Sequence, residues 1–374
     1  MTSSRLFEPL KIGKLTLSHR VGLSPLTRYR ASDDHVPLEF VKEYYGQRAS
    51  VPGTLLITEG VLISPEDGGH ANAPGIYNQR QIDAWKEITD IVHAKGSYIF
   101  CQLWALGRDV YADVAAREGI KIVSSGTIGL DEERRPTPLS TDEIQDRVRN
   151  YATAAKNAIA AGFDGVELHG ANGYLIDQFL SDSTNNREDA YGGSVENRSR
   201  FAVEAVRAVS DAIGPERTGV RLSPWSTYNN MRMADPVPQF TDVIRKIDKL
   251  GIAYVHLIES RVAGNVDAVG SESLSFAFKQ FDGPVLVAGG FTPELARQVV
   301  EQDFPEKDIV VMFGRYFIST PDLPFRIREG LMPSPYHRET FYAPKTKSGY
   351  IDYPFSQEFS QRNLLTKSID AKQY

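Results

Sequence analysis

Short apolar runs recur along the chain, each closed by Gly, Ser, Pro or Asn and followed by a longer stretch with helical spacing. The runs Val21–Leu23, Thr54–Ile57, Tyr98–Leu103, Gly165–Leu168, Thr218–Leu222, Tyr254–Leu257, Val285–Ala288 and Ile309–Phe313 read as strands, being rich in β-branched and aromatic residues and bounded by turn formers. Between most of them, Gln81–Ala94, Asp142–Ala161, Arg198–Ile213, Val237–Leu250 and Pro293–Gln302 carry helical periodicity. Strands alternating with helices imply an α/β fold with a parallel sheet, and eight strands suffice to close a (β/α)8 TIM barrel. An open doubly wound sheet would carry a GxGxxG turn, which this sequence lacks.

Two stretches depart from a minimal barrel. Residues 105–140 show no clear helical period and include the charge run Asp131–Arg135, so they read as a capping excursion over the barrel mouth with a solvated charged face. The tail from Gly330 to Tyr374 is crowded with aromatics, among them Tyr336, Phe341, Tyr342, Tyr350, Tyr353 and Phe355. Such rings cover apolar surface or roof the mouth. No repeat and no linker-like segment divides the chain, which predicts one domain over residues 1–374.

Composition narrows the function classes. Hydrophobic residues make up 41% of 374, enough for a large core. The 42 basic residues are outnumbered by 48 acidic ones, for a net charge of −6, which disfavours nucleic acid or an anionic membrane as a partner. The single cysteine, Cys101, permits no intrachain disulfide and no CxxC pair, and its place in a strand predicts a core position. No signal-like or membrane-length apolar run is present. The expectation is a cytoplasmic protein, monomeric or homodimeric, with a small-molecule partner.

The last two strands end alike. Val285–Ala288 runs into Gly289-Gly290 and Ile309–Phe313 into Gly314-Arg315, each followed by a Thr-Pro helix start. Glycine lets backbone N–H groups approach an anion, and arginine adds a bidentate clamp. The loops after strands 7 and 8 are where such barrels hold phosphate, although glycine needed only for a tight turn would explain either loop alone. After the fourth strand, His169-Gly-Ala-Asn172-Gly-Tyr174 gathers two N–H donors and a phenol on a turn. That set suits a reaction in which negative charge develops on a carbonyl oxygen and a proton must follow. Thr27, Gln102 and Arg221 close three further strands. Each could pair within the protein, and together they suit a planar heterocycle with a carbonyl-rich edge. No HExxH motif or clustered ligand set marks a metal site.

These motifs carry a resemblance. His169-Gly-Ala-Asn172-Gly-Tyr174-Leu-Ile-Asp-Gln-Phe-Leu, the run Tyr191–Arg198, Ser24-Pro25-Leu26-Thr27-Arg28, Gln102-Leu-Trp104 and Phe313-Gly314-Arg315 resemble the Old Yellow Enzyme family of FMN-dependent ene reductases. The likeness runs from Leu6 to about Phe355, and Tyr45-Gly-Gln-Arg-Ala-Ser50, Ser223-Pro-Trp-Ser226 and Asp352-Tyr-Pro-Phe355 are most similar to fungal members, including those of ergot-alkaloid pathways. It implies tight non-covalent FMN and ping-pong reduction of α,β-unsaturated aldehydes or ketones, with NADPH rather than NADH as co-substrate. Thr27 resembles the residue that tunes the flavin ring, and Pro25, Leu26, Gly60, Gln102 and Arg221 match flavin-contacting positions. Gly289, Gly290, Gly314 and Arg315 match the phosphate site. His169 and Asn172 match the pair that binds the substrate carbonyl, and Tyr174 the proton donor. Trp104, His70, Phe341 and Tyr342 fall where the family lines its substrate pocket. His70 stands where many relatives have Tyr, and Arg108 where some have Trp, which bears on substrate preference. The rival expectations are an ergot-type flavin isomerase, in which Phe tends to replace the phenol of Tyr174, a flavin-binding protein with little turnover, and a flavin-free phosphate-binding barrel such as an aldolase.

Overall fold

Apolar side chains occupy both faces of nearly every strand, the pattern of a parallel sheet covered on both sides. In the computed structural model, which describes residues 4–264 and 266–370, eight such strands close into a barrel. They are β1 (Val21–Leu23), β2 (Leu55–Leu62), β3 (Tyr98–Trp104), β4 (Gly165–Gly170), β5 (Thr218–Leu222), β6 (Tyr254–Ile258), β7 (Val285–Ala288) and β8 (Ile309–Phe313). Each pairs in parallel with the next, and β8 returns to β1. The expected barrel is therefore found, and Cys101 is buried within it.

The main outer helices are α1 (Val41–Arg48), α2 (Gln79–Ala94), α3 (Thr141–Ala160), α4 (Val195–Ile213) and α5 (Val237–Asp248). Two start on reciprocal caps. Asn78 pairs with Gln81, and Ser140 with Glu143, so side chains satisfy backbone N–H groups that the first turn leaves open. The segment from Pro293 is α-helical only to Gln298, then continues as a wider turn through Val299–Asp303.

The barrel interior is layered. At its N-terminal end, a hairpin of Leu10–Ile12 and Leu15–Leu17 packs Leu10, Ile12 and Leu17 against inward residues including Leu55, Phe100, Tyr254, Leu286 and Val310. Two glycines make room there. A Cβ on Gly219 would lie 2.3 Å from the Tyr254 ring, and one on Gly165 would lie 2.7 Å from the Phe100 ring. Above this layer the interior becomes polar, with Gln102, Glu167, His169, Arg221 and His256 all buried.

The excursion over 105–140 holds more structure than its sequence period predicts. Ala112–Glu118 is helical and ends on Gly119 at φ 68°, and Val123–Ser124 pairs with Thr137–Pro138. Its charge run is largely solvated, yet Arg134 reaches inward to Asp109 at 3.2 Å. The tail both covers and roofs. The Tyr350 ring stacks on Tyr44 at 4.0 Å, while Phe341 and Tyr342 reach the cleft at the mouth. Three buried arginines pin it by donating to its carbonyls: Arg28 to Phe341 and Gly349, Arg30 to Thr340, Phe341, Thr346 and Ser348, and Arg48 to Tyr350. The chain then forms a helix over Gln357–Asp370; residues 371–374 of the tail lie outside the described residues. Among the described residues, no helix is long and apolar enough to cross a membrane.

Candidate active site

A cleft of about 350 Å³ opens at the C-terminal ends of the strands. The end of β4 and the turn after it supply three of its side chains. Asn172 and Gly173 sit in the left-handed region at φ 56° and 76°, which Asn tolerates and Gly favours. Hydrogen bonds hold the turn from several sides. The Gly173 N–H donates to Asp177 Oδ2 at 2.8 Å, and Gln178 Nε2 donates to the Gly173 carbonyl at 2.7 Å. The Asn172 N–H donates to Ser223 Oγ at 2.8 Å. Among the described residues, the Asn172 side-chain amide makes no hydrogen bond, and it lines the cleft beside His169 and Tyr174.

His169 ends β4 with its ring 4.8 Å from that of Tyr174, edge to face. The Ala171 N–H donates to His169 Nδ1 at 3.3 Å. Nδ1 is thus the acceptor, and the remaining N–H sits on Nε2. Burial holds the imidazole well below its usual range, with Arg221 and His256 adding to the effect. Burial likewise pushes the Tyr174 phenol well above its usual range. At neutral pH the turn therefore presents two uncharged N–H donors and an intact phenol.

The same cleft is lined by Ser24, Pro25, Leu26, Thr27, Gln102 and Arg221, and by Gly289, Gly290, Phe291, Gly314 and Arg315 from the ends of β7 and β8; Arg221 stands beside His169 on the neighbouring strand. Gly289 and Gly290 have φ of 123° and 65°, so the backbone passes where a side chain would be strained. His70, Phe341 and Tyr342 are also in the lining, whereas Gly60 and Trp104 are not. Gly60 instead faces the indole of Trp104, where a Cβ would lie 2.6 Å away. Trp104 stands behind the cleft, edge-on to Tyr174 at 4.9 Å and to His70 at 5.3 Å. Both nitrogens of His70 are engaged: Nε2 with the Asp109 carbonyl and Nδ1 with the Tyr29 hydroxyl, each at 2.9 Å. A carbonyl only accepts, so Nε2 carries the proton and Tyr29 donates to Nδ1. Arg108 points away from the cleft contacts and donates to the carbonyls of Ile128 and Asn229.

Comparison with known proteins assigns the architecture. The family described as NADH:flavin oxidoreductase / NADH oxidase matches residues 5–333. The chain belongs to this family. It is similar to the chanoclavine-I aldehyde reductase fgaOx3 of Penicillium roqueforti (strain FM164), 54% identical over 96% of this chain and 98% of that protein. It is also similar to the NADP-dependent oxidoreductase lnbE of Aspergillus flavus, 49% identical over 95% and 97%. The crystal structure of Old Yellow Enzyme from Pichia sp. AKU4542 superposes with a TM-score of 0.88 at 34% identity, covering 95% of this chain and 94% of that one. The resemblance read from the motifs is thus confirmed.

As a member of the Old Yellow Enzyme family the protein is an FMN-dependent oxidoreductase, and the cleft fits that group. Arg221 is buried, yet its Nε has no partner among the described residues and its guanidinium reaches only Ser24 Oγ, at 3.5 Å. A buried guanidinium so poorly satisfied requires an electron-rich ligand edge. Several elements of the cleft were not singled out in the sequence. Tyr29, Tyr111 and Tyr228 join the lining. Asp267, on the small hairpin of Val262–Ala263 and Val266–Asp267, takes both arms of Arg315 at 2.5 and 3.0 Å. Only its hairpin setting between β6 and the next helix could have flagged it.

Proposed function

We propose that the protein is an ene reductase that uses NADPH to reduce the C=C bond of α,β-unsaturated aldehydes and ketones, the two substrates occupying the same cleft in turn. FMN, when bound, supplies the chemistry of accepting hydride from the nicotinamide and passing it to the alkene. Pro25, Leu26, Thr27, Gln102 and Arg221 would hold its ring, with Gly60 behind them; Gly289, Gly290, Gly314 and Arg315 would hold its phosphate. His169 Nε2–H and the Asn172 amide bind the carbonyl oxygen, and, being neutral donors, they stabilise the charge that develops there. Tyr174 then gives its proton to the α-carbon. His70, Phe341 and Tyr342 border the substrate, and Trp104 backs Tyr174.

The observation that carries this reading is the convergence of two neutral N–H donors and a protonated phenol on one turn, inside the cleft that also holds Arg221. The aldehyde reductase name of one relative and the NADP dependence in the name of another support the substrate class and the co-substrate. Tyr174 favours net reduction over isomerisation. A single buried cysteine agrees with a cytoplasmic setting, and a monomer or homodimer would serve equally. The test is anaerobic reoxidation of the reduced enzyme. An enal or enone should reoxidise the flavin and yield the saturated carbonyl, whereas a saturated aldehyde should not. Reoxidation by no activated alkene across a broad panel would overturn the reading.

A further inference from the structure

Directly beneath the cleft, β3, β4 and β6 bury three polar side chains against one another. Glu167 and His256 are fully buried and Gln102 nearly so. Gln102 Nε2 donates to Glu167 Oε1 at 2.8 Å, and Glu167 Oε2 lies 2.8 Å from His256 Nδ1. Burial lowers the His256 pKa against the opposing pull of Glu167, which leaves a neutral ring whose Nδ1–H donates to the carboxylate. Strand register sets Gln102 and Glu167 one step beneath the level of His169, Arg221 and His256. Gln102 stands opposite Glu167, while Arg221 lies between His169 on one side and His256 on the other. Glu167 and His169 are two residues apart on β4, so both point inward, one beneath the other.

A carboxylate buried here is costly unless its bonds serve a purpose. Both of its hydrogen-bond donors are uncharged, and Arg221, one step above it on the neighbouring strand, feels its charge. The carboxylate also removes an ambiguity. A glutamine amide can face a ligand with either its oxygen or its nitrogen, but a carboxylate only accepts. Glu167 therefore fixes Nε2 toward itself, and Gln102 meets the cleft with its oxygen and its remaining N–H. We propose that Glu167 is a positioning residue for the cofactor: it sets which edge of the Gln102 amide FMN meets, and it balances the charge of Arg221 beside the ring. The mechanism above does not use Glu167, and the proposal rests on the FMN assignment.

Two substitutions test it on the flavin-loaded enzyme. Glu167→Ala frees Gln102 to turn, and the Kd for FMN, read from the fluorescence of released flavin, should rise about tenfold. Glu167→Gln keeps the volume, and His256 can carry its proton on Nε2, so the hydrogen bonds survive while the charge is lost. A nearby negative charge opposes the addition of electrons, so the midpoint potential in Glu167→Gln should rise by the equivalent of a tenfold change in the two-electron equilibrium, ~30 mV. A merely structural carboxylate would lower the melting temperature without moving the potential. An unchanged potential in Glu167→Gln overturns the proposal, as does FMN affinity within about twofold of the parent in Glu167→Ala. Should Glu167→Ala not fold, the midpoint potential of Glu167→Gln decides alone, and an unchanged potential overturns the proposal. A parent that purifies without flavin overturns both the proposal and the cofactor assignment.

Discussion

Tyr174 shows how much of this site depends on a single side chain. It occupies the N-cap position of the short helix Leu175–Leu180, its ring packs edge-on against Trp104 and His169, and the turn before it is fixed by Asp177 and Gln178. Burial keeps the phenol protonated, as a proton donor must be. In the proposed mechanism, reduction of the flavin by NADPH needs no proton from this group, whereas reduction of an enone does. Tyr174→Phe should leave the first half-reaction nearly intact and slow reoxidation by an enone by roughly 10²–10⁴-fold, the range for a lost general acid. Stopped-flow absorbance separates the two halves. Equal slowing of both would make the phenol a binding group, and no slowing of the second would place the proton source elsewhere. Nitroalkenes, whose carbanions are stabilised, should be less affected.

Among the elements, the loops after β7 and β8 and the hairpin of Val262–Asp267 act together, because Arg315 is shared between them. Asp267 is mostly exposed, with 65% of its side chain accessible, so its pair with Arg315 is weakly held against solvent. An anion with several backbone donors around it can therefore recruit the guanidinium. Arg315→Ala removes a charge-assisted contact of about 1.5–3 kcal/mol, which predicts roughly ten- to hundredfold weaker FMN retention in equilibrium dialysis. Retention equal to the parent would move the phosphate elsewhere. These loops also show what the sequence made legible. β1, β5, β7 and β8 match their apolar runs residue for residue, because each ends at a real change from apolar to polar. The run expected to stop at Ile57 continues to Leu62, since Thr58, Glu59 and Gly60 imitate a turn but form an irregularity in the ladder, with the register shifting between Ile57 and Gly60. The hairpin over Leu10–Leu17 was not legible because its strands are three residues long, and α1 carries no clean apolar stripe. In the site, groups just beyond a strand end stood out. Glu167 did not, because it lies inside an apolar run, although its two-residue spacing from His169 already put both on the inner face.

For the molecule as a whole, the mouth of the barrel concentrates buried charge, and this couples stability to pH. Burial pushes the Asp177 carboxyl up to about 7 from 3.8, against the lowering effects of the Gly173 N–H, Arg108 and Ser223. Glu59, which accepts the N–H groups of Arg28 and Tyr29 at 3.0 and 3.3 Å, is pushed up to about 7 from 4.5 by the same cause. Both shifts are upward for an acid. Between the unfolded and folded values, the native protein holds a proton that the unfolded chain has released, so folding becomes less favourable as pH rises through this window. The full cost is present above about pH 7 and absent well below pH 4. Asp177→Asn removes this titration while leaving an acceptor for the Gly173 N–H. Other groups also titrate over this range, so the informative quantity is the difference between variant and parent. Chemical denaturation should show that difference shifting in favour of Asp177→Asn by about 2 kcal/mol between about pH 5 and pH 7.5. Glu59→Gln should shift in the same direction. A difference that stays flat with pH would mean that Asp177 is ionised in the native protein, and the turn that carries Asn172 and Tyr174 would then rest on a charged acceptor rather than a neutral one.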